Sequence, residues 1–511
     1  MSAGQPLKTS ILHHGPEDAS GYDPTAGGRA TPPRVWAHHV LQRPAQACLI
    51  DSSGRCMTWS ELETASRTVA GRFAALRLQP GDRILISAQA SFDLAVAHVA
   101  SLRLGLVVVP TNVAYRAGEI AHVVSDARPR AAIVDDEQRA DFISRADASV
   151  LLMNPAVDVA ETTDPELDLV SSDAPALIGY TSGTTGRPKG AVLTHANLLA
   201  SLEALRVAWR WSPADRLVLA LPLFHMHGLG VGFHGTLHAG GSAVLLPQFE
   251  PQVIFDAIKV HQATLFFGVP TMYHRLVADL RVSELEALRL CVSGSAALPA
   301  ELHKKFEAIT GQRIVERYGM TETAMLVSNP VEAERRPGTV GVPLPGVEVR
   351  LQGQPAEIEV RGPNVFSGYW ERPEANQDAF TEDHWFRTGD LGEIDEAGYL
   401  RIVGRAKELI ISGGYNVYPR EVEDALCLHP EISEAAVVGA SSSEWGEQVE
   451  AYLVCSRKIE VQETKAFLSE HLASYKSPRA LYWVEALPRN ALGKVQKHRL
   501  REGQVWPDHT D

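Results

Sequence analysis

Cysteine is scarce in this chain. Its five cysteines among 511 residues, Cys48, Cys56, Cys291, Cys427 and Cys455, form no Cys-x-x-Cys pair. That excludes a disulfide scaffold and points to a reducing, cytoplasmic setting. Basic charge is also short: 48 Lys and Arg stand against 62 Asp and Glu, a formal net charge of −14. No global basic surface therefore points to nucleic acid, and anionic substrates must be held by local cations in an acidic background. Long apolar runs are missing too, which argues against a membrane span. The best stretch, residues 94–110, contains His98 and Arg103 and reads as a core helix followed by a strand. The first 34 residues lack both a signal peptide's apolar segment and a transit peptide's arginines, and are expected to form a mobile arm. Neither an internal repeat nor a low-complexity tract is present.

What remains is an ordinary globular composition, 45% hydrophobic and 22% charged, long enough for two or three domains. Its most informative segment is Tyr180-Thr181-Ser182-Gly183-Thr184-Thr185-Gly186-Arg187-Pro188-Lys189-Gly190, placed directly after the apolar run Ala176-Leu177-Ile178-Gly179. Such a run stopped by glycines and hydroxyls reads as a buried strand feeding a loop. Glycines let backbone N–H groups turn inward, hydroxyls donate hydrogen bonds, and Lys189 supplies a point charge, which together suit a polyphosphate. The spacing is not that of a Walker A loop.

Further motifs follow in order. In Arg317-Tyr318-Gly319-Met320-Thr321-Glu322-Thr323 an aromatic beside glycine can lie on a purine, a threonine can bond a phosphate, and a carboxylate can hold Mg²⁺. Trp385-Phe386-Arg387-Thr388-Gly389-Asp390 offers a turn carboxylate able to accept both ribose hydroxyls. Gly404-Arg405-Ala406-Lys407, Gly413-Gly414 and Pro488-Arg489-Asn490-Ala491-Leu492-Gly493-Lys494 complete the set.

In this order the motifs resemble those of the adenylate-forming superfamily of acyl-CoA synthetases, luciferases and nonribosomal-peptide adenylation domains, from about Trp36 to Arg501. The resemblance implies an α/β fold: a large N-terminal domain of layered subdomains (35–404), a hinge (405–407) and a small mobile α+β C-terminal domain (408–511). It implies ATP, Mg²⁺ and coenzyme A as reactants and cofactor. Nucleotide binding would fall to Thr181, Ser182, Gly183, Thr184, Thr185, Gly186, Lys189, Tyr318, Gly319, Thr321, Asp390, Arg405 and Lys494. Thr181, Glu322 and Lys494 would be catalytic, with Glu322 holding the metal. Lys407 would be the pivot, and Gly413 and Gly414 would approach the pantetheine arm of CoA.

Leu221-Pro222-Leu223-Phe224-His225-Met226-His227-Gly228, Gly268-Val269-Pro270-Thr271-Met272-Tyr273-His274-Arg275 and Leu290-Cys291-Val292-Ser293-Gly294-Ser295 resemble the segments lining the acyl pocket. In wording they are most similar to malonyl-CoA synthetases. A second carboxylate in a buried pocket needs a cation. Arg275 is the expected one, with Arg289 in reserve, and His225, Met226, Ser295 and Met320 complete the pocket. Malonate or methylmalonate is the expected acid. The apolar Ala324-Met325-Leu326-Val327 departs from the pattern and leaves a medium-chain or aryl monocarboxylate as the alternative. From another class, a non-catalytic nucleotide sensor is opposed by the joint presence of Lys189, Glu322, Asp390, Arg405 and Lys494.

Two other patterns carry less. Gly230-Val231-Gly232-Phe233-His234-Gly235 fits a dinucleotide fingerprint without its flanking strand and acid. His225, His227, His234 and His238 lack the partner ligands of a zinc site and are expected on helix walls or in the pocket.

Overall fold

The aliphatic tetrads Val107–Pro110, Ala131–Val134 and Leu290–Ser293 are covered almost throughout, and all pair in parallel. Continuous apolar runs of this kind belong to strands with both faces buried. The computed structural model describes residues 21–181, 188–412, 415–442, 445–457, 459–490 and 493–501. Ser182, Gly183, Thr184, Thr185 and Gly186 therefore lie outside the described residues, as do Gly413 and Gly414.

The strands build two large, mainly parallel sheets. A six-stranded sheet runs Leu151–Met153, Ala131–Val134, Arg83–Ser87, Val107–Pro110, Pro175–Thr181, Lys189–Thr194. A nine-stranded sheet carries Val315–Tyr318, Leu290–Ser293, Leu265–Gly268, Arg216–Leu219 and Ser242–Leu245 as consecutive parallel neighbours. One hydrophobic core joins both sheets, containing Val108 and Leu177 from the first and Leu217, Phe267 and Val315 from the second.

The helix behind the loop forms where helical spacing puts it, over His195–Ala208, with Leu198, Leu199, Leu202 and Leu205 buried. Thr194 and Asn197 close its first turn reciprocally, so two otherwise orphaned N–H groups are satisfied. Helix Phe92–Leu104 is buried nearly all round, and its one internal cation, Arg103, forks onto Glu63 and Asp168 at 2.6 and 2.9 Å. Among the described residues no helix is long and apolar enough to cross a membrane.

The four-stranded sheet Glu348–Gln352, Glu357–Arg361, Phe386–Ile394, Leu400–Arg405 ends where a short 3₁₀ turn, Ala406–Glu408, begins. Strand Ile410–Ser412 then enters a separate five-stranded sheet built on Ile432–Ser442 and Gly446–Cys455. That sheet has its own core of Ile410, Val422, Val437, Ala451 and Leu468. Lys407 thus sits in the turn between two independently packed sheets.

Within the stretch expected to be a mobile arm, the described residues 21–34 make contacts with the rest of the chain: the Gly21 carbonyl accepts from Arg206, Tyr22 packs beside Gly346, and helix Pro32–Gln42 buries Pro32 and Pro33. Composition misses this because the packing partners lie over a hundred residues away. In keeping with the missing flanking strand and acid, the glycines from Gly230 to Gly235 occupy a π-helical stretch, His227–Phe233, and the helix His234–Ala239 that continues it.

Candidate active site

Thr181 and Lys189 are cross-strand partners in an antiparallel pair, so they stand together where the glycine- and hydroxyl-rich loop leaves and rejoins the sheet. Lys189 Nζ lies 5.1 Å from the Tyr369 ring centroid. The Tyr369 hydroxyl donates to Glu322 Oε1 at 3.0 Å. Burial raises the Glu322 carboxyl above its usual range. A buried carboxylate with one neutral donor and open acceptor capacity suits a hard divalent cation that takes its other ligands from phosphate and water. Thr321 reaches the strand before the loop: a Cβ on Gly179 would come within 2.4 Å of Thr321 Cγ2. Only glycine allows that approach.

A second cluster is built on adjacent strands. Asp390 and Arg405 are paired in register, and Arg405 Nε meets Asp390 Oδ1 at 2.9 Å. The Tyr318 hydroxyl donates to Asp390 Oδ2 at 2.6 Å. Burial, with Asp390 adding to it, holds the Tyr318 hydroxyl well above its ordinary pKa, so it remains a donor.

Lys494 comes to this cluster from the five-stranded-sheet side. Its backbone N–H donates to Asn490 Oδ1 at 3.0 Å. Burial lowers the Lys494 ammonium, the Arg405 charge lowers it further, and Asp390 and Glu408 oppose both. Lys497 bridges Glu408 and Glu423 at 3.4 and 2.7 Å, which ties the turn after Arg405 to this segment.

Beside Lys494 opens a cavity of about 250 Å³ that Gly493 helps to line. Leu221, Phe249, Val269 and Met272 give it apolar walls, and His225, His227, Ser295 and Arg275 are its polar lining. Burial pulls His225 down to about 4, aided by Arg317 and Lys494, and places His227 well below its ordinary value, aided by Arg317 and His225. Both rings are therefore neutral. His227 Nδ1 lies 3.2 Å from Ser295 Oγ, and Ser295 is held at φ +68°, a left-handed conformation that non-glycine residues seldom adopt.

The other pocket assignments separate on inspection. Arg275 lines the cavity, yet its guanidinium is taken: Nη2 meets Glu250 Oε2 at 3.0 Å and the group lies 4.9 Å from the Phe249 centroid. Arg289 is corrected outright. It forks onto Asp215 through two 2.8 Å bonds and donates to the Trp209 carbonyl, so it is a structural residue. Met226 turns into the core against Gly230, and Met320 packs on the same core. His234 meets His98 at 2.6 Å and His238 faces Glu203 at 3.5 Å, both within helix packing. No group of three or more His, Cys, Asp or Glu among the described residues could hold a metal ion.

Arg317 is the residue that motif reading passed over. Side chains alternate along a strand, so Tyr318 points to Asp390 while its neighbour Arg317 points the other way. A Cβ on Gly294 would sit 2.3 Å from Arg317 Cζ, so the guanidinium lies directly against that glycine backbone. Its Nε and Nη2 are buried without a hydrogen-bond partner, and burial pulls its pKa down to about 9. An uncompensated cation thus stands behind the wall formed by His225, His227 and Ser295. The strand period was the available signal.

With this geometry in view, comparison with known proteins is direct. The AMP-binding enzyme model matches residues 36–370, and the AMP-binding enzyme C-terminal domain model matches residues 421–494. The mitochondrial malonate–CoA ligase ACSF3 of Mus musculus is 36% identical over 518 residues, covering 90% of this chain and 88% of that protein. ATP-bound MatB from Rhodopseudomonas palustris is 37% identical with a TM-score of 0.85, covering 92% of this chain and 98% of that one. The o-succinylbenzoate CoA synthetase of Bacillus subtilis, in complex with ATP and magnesium ion, is 31% identical with a TM-score of 0.83, covering 91% and 98%. Feruloyl-CoA synthase, sulfoacetate–CoA ligase and long-chain-fatty-acid–CoA ligase also match, at 34%, 35% and 32% identity.

Proposed function

We propose, from the fact that this chain belongs to the AMP-binding enzyme family and is an acid–CoA ligase, that its acid is a short dicarboxylate of the malonate or methylmalonate class. The observation that carries this reading is the buried Arg317 guanidinium, which has no acceptor for Nε or Nη2 beside two neutral histidines. An unpaired buried cation costs several kcal/mol, and an incoming second carboxylate would compensate it. Arg317, rather than Arg275, is therefore our choice for the distal carboxylate.

ATP, Mg²⁺ and CoA serve the chemistry. In our reading Lys189 and Thr181 bind the outer phosphates, Thr321 the α-phosphate, and Asp390 with Arg405 the ribose, with Tyr318 setting the Asp390 carboxylate. Glu322 would hold Mg²⁺, whose charge offsets that of the phosphates. Lys494 reaches the nucleotide cluster and the cavity together, so its ammonium would bridge two anions that repel each other. One oxygen of the acid attacks the α-phosphorus, the bond from that phosphorus to the bridging oxygen breaks, and pyrophosphate leaves. The CoA sulfur, having lost its proton, then attacks the acyl carbon and AMP departs with the former acid oxygen. Rotation about the Ala406–Glu408 turn, with Lys407 at its centre, would exchange Lys494 for the CoA path between the steps. The assignment of Gly413 and Gly414 to pantetheine rests on resemblance alone.

A second reading has its own support. Leu221, Phe249, Val269 and Met272 give the cavity apolar walls, as a monocarboxylate pocket would require. Pyrophosphate release with malonate, methylmalonate, butyrate and ferulate separates the two. Malonate or methylmalonate should give the highest kcat/KM. A higher value for butyrate or ferulate would move the substrate to the monocarboxylate class, and release with no acid would remove the catalytic reading.

A further inference from the structure

We propose that Tyr369 is a positioning residue that keeps the Lys189 ammonium and the Glu322 carboxylate from pairing with each other. The inference rests on the reading above, in which Lys189 takes the outer phosphates and Glu322 the metal. Both ions address one side chain. Lys189 Nζ lies over the ring, 5.1 Å from its centroid, and Glu322 Oε1 accepts from the hydroxyl at 3.0 Å. Among the described residues neither ion has a salt-bridge partner.

Backbone pairing puts the ring between them. The Trp370 N–H donates to the Gly190 carbonyl at 2.7 Å, the Val192 N–H donates to the Gly368 carbonyl at 3.1 Å, and Ala191 and Tyr369 are bridged as antiparallel partners. Side chains alternate along a strand, so Lys189 shares the face of Ala191 and meets Tyr369 as its diagonal neighbour. The Phe366 N–H donates to the Glu322 carbonyl at 2.8 Å, which ties the carboxylate's own backbone to the same segment. Burial, with Glu322 adding to it, raises the Tyr369 hydroxyl above its ordinary pKa, so it stays a donor. The ring face favours a cation and the hydroxyl favours a carboxylate, so each ion has a partner other than its opposite. Without this side chain a flexible ammonium and a buried carboxylate would attract each other, the more strongly because water is excluded. Once paired, Lys189 would be lost to phosphate and Glu322 to a divalent cation.

The test is a double-mutant cycle read by ATP binding without metal, measured by calorimetry. Tyr369→Leu should weaken metal-free ATP about tenfold, the scale of one lost bond to a charged group. Tyr369→Phe keeps the ring edge-on to Phe366 at 4.9 Å and removes only the carboxylate's partner, so it should lose about threefold. Made on Glu322→Gln, which has no charge to capture Lys189, either change should cost less than twofold. A purely structural tyrosine would weaken ATP on both backgrounds. Losses that persist on Glu322→Gln would therefore overturn the proposal, as would no loss in either single variant. Two further variants report the underlying reading separately. Lys189→Ala should weaken metal-free ATP, and Glu322→Gln alone should raise the Mg²⁺ half-saturation of pyrophosphate release. If neither moves, the nucleotide assignment falls and the proposal with it; if both move and the rescue fails, Tyr369 alone is refuted.

Discussion

Replacing Arg317 by methionine keeps a long unbranched side chain and deletes the buried charge. Two opposite effects should follow. Burial pulls the Arg317 pKa from its ordinary value down to about 9, so the fold disfavours the cation. At 1.36 kcal/mol per unit this is at most about 5 kcal/mol. Because the value is lowered, the cation's penalty is fully present below about pH 9 and is relieved only as pH rises from there toward the ordinary arginine value. At pH 7.5 the ligand-free Arg317→Met protein should therefore be more stable than wild type, with its Tm higher by a few degrees. Catalysis should move the other way. A distal carboxylate brought to a site without its cation is stranded, at a cost of roughly 3–5 kcal/mol. That is a loss of about two to three and a half decades in kcat/KM for malonate.

Butyrate supplies the control, since it has no second charge and should be used as well as before or better. Thermal denaturation without ligands and coupled pyrophosphate release with both acids give the two numbers. Arg317→Lys should retain part of the malonate activity, because the charge remains although the fork geometry does not. If Arg317→Met lowered Tm, or reduced malonate and butyrate equally, Arg317 would be a structural residue and the argument would fail.

Lys494→Ala should abolish pyrophosphate release yet leave thioester formation from supplied acyl-adenylate intact; full release by the variant would sink its bridging role. Lys407→Pro should show the converse, adenylate accumulating while CoA transfer fails, because proline fixes φ near −65° and removes a donor; normal overall turnover would mean that the turn is not the pivot. Glu316 accepts from the Leu298 N–H at 2.8 Å, its other oxygen has no partner, and burial raises it from 4.5 to about 7. Its folded-state pKa is the higher one, so stability present below about pH 4.5 is lost as pH rises through about 7. Glu316→Gln should therefore match wild type in Tm near pH 5 and exceed it at pH 8, and parallel Tm profiles would refute the titration.

Features written in one contiguous stretch were legible from the sequence. The pair Pro175–Thr181 and Lys189–Thr194 bracketing its loop, the capped helix His195–Ala208 and the buried tetrads depend on local period and turn chemistry. Asp390 and Arg405 were also within reach, since a hairpin joins them. Pairings across long separations were not. Arg289 finds Asp215, Arg275 finds Glu250, and Tyr22 finds Gly346 only once the sheets are assembled. Each pairing changes what the residue can do, because a guanidinium beside a carboxylate has part of its field offset and some of its N–H groups engaged. Arg317 shows the same dependence in reverse. Nothing in its motif says that Gly294 will leave room for it or that no carboxylate will reach it. Its position on strand Val315–Tyr318 has a further consequence. The Tyr318 hydroxyl donates to Asp390 from one face of that strand, and Arg317 lies on the other, against Gly294. A one-residue slip in register would exchange the two faces. The parallel pairing of Val292 with Val315 and Ser293 with Glu316 thus fixes the Tyr318–Asp390 cluster and the Arg317 guanidinium together. Substitutions that loosen this pairing should weaken ATP and acid use in step, whereas Arg317→Met should affect the acid alone.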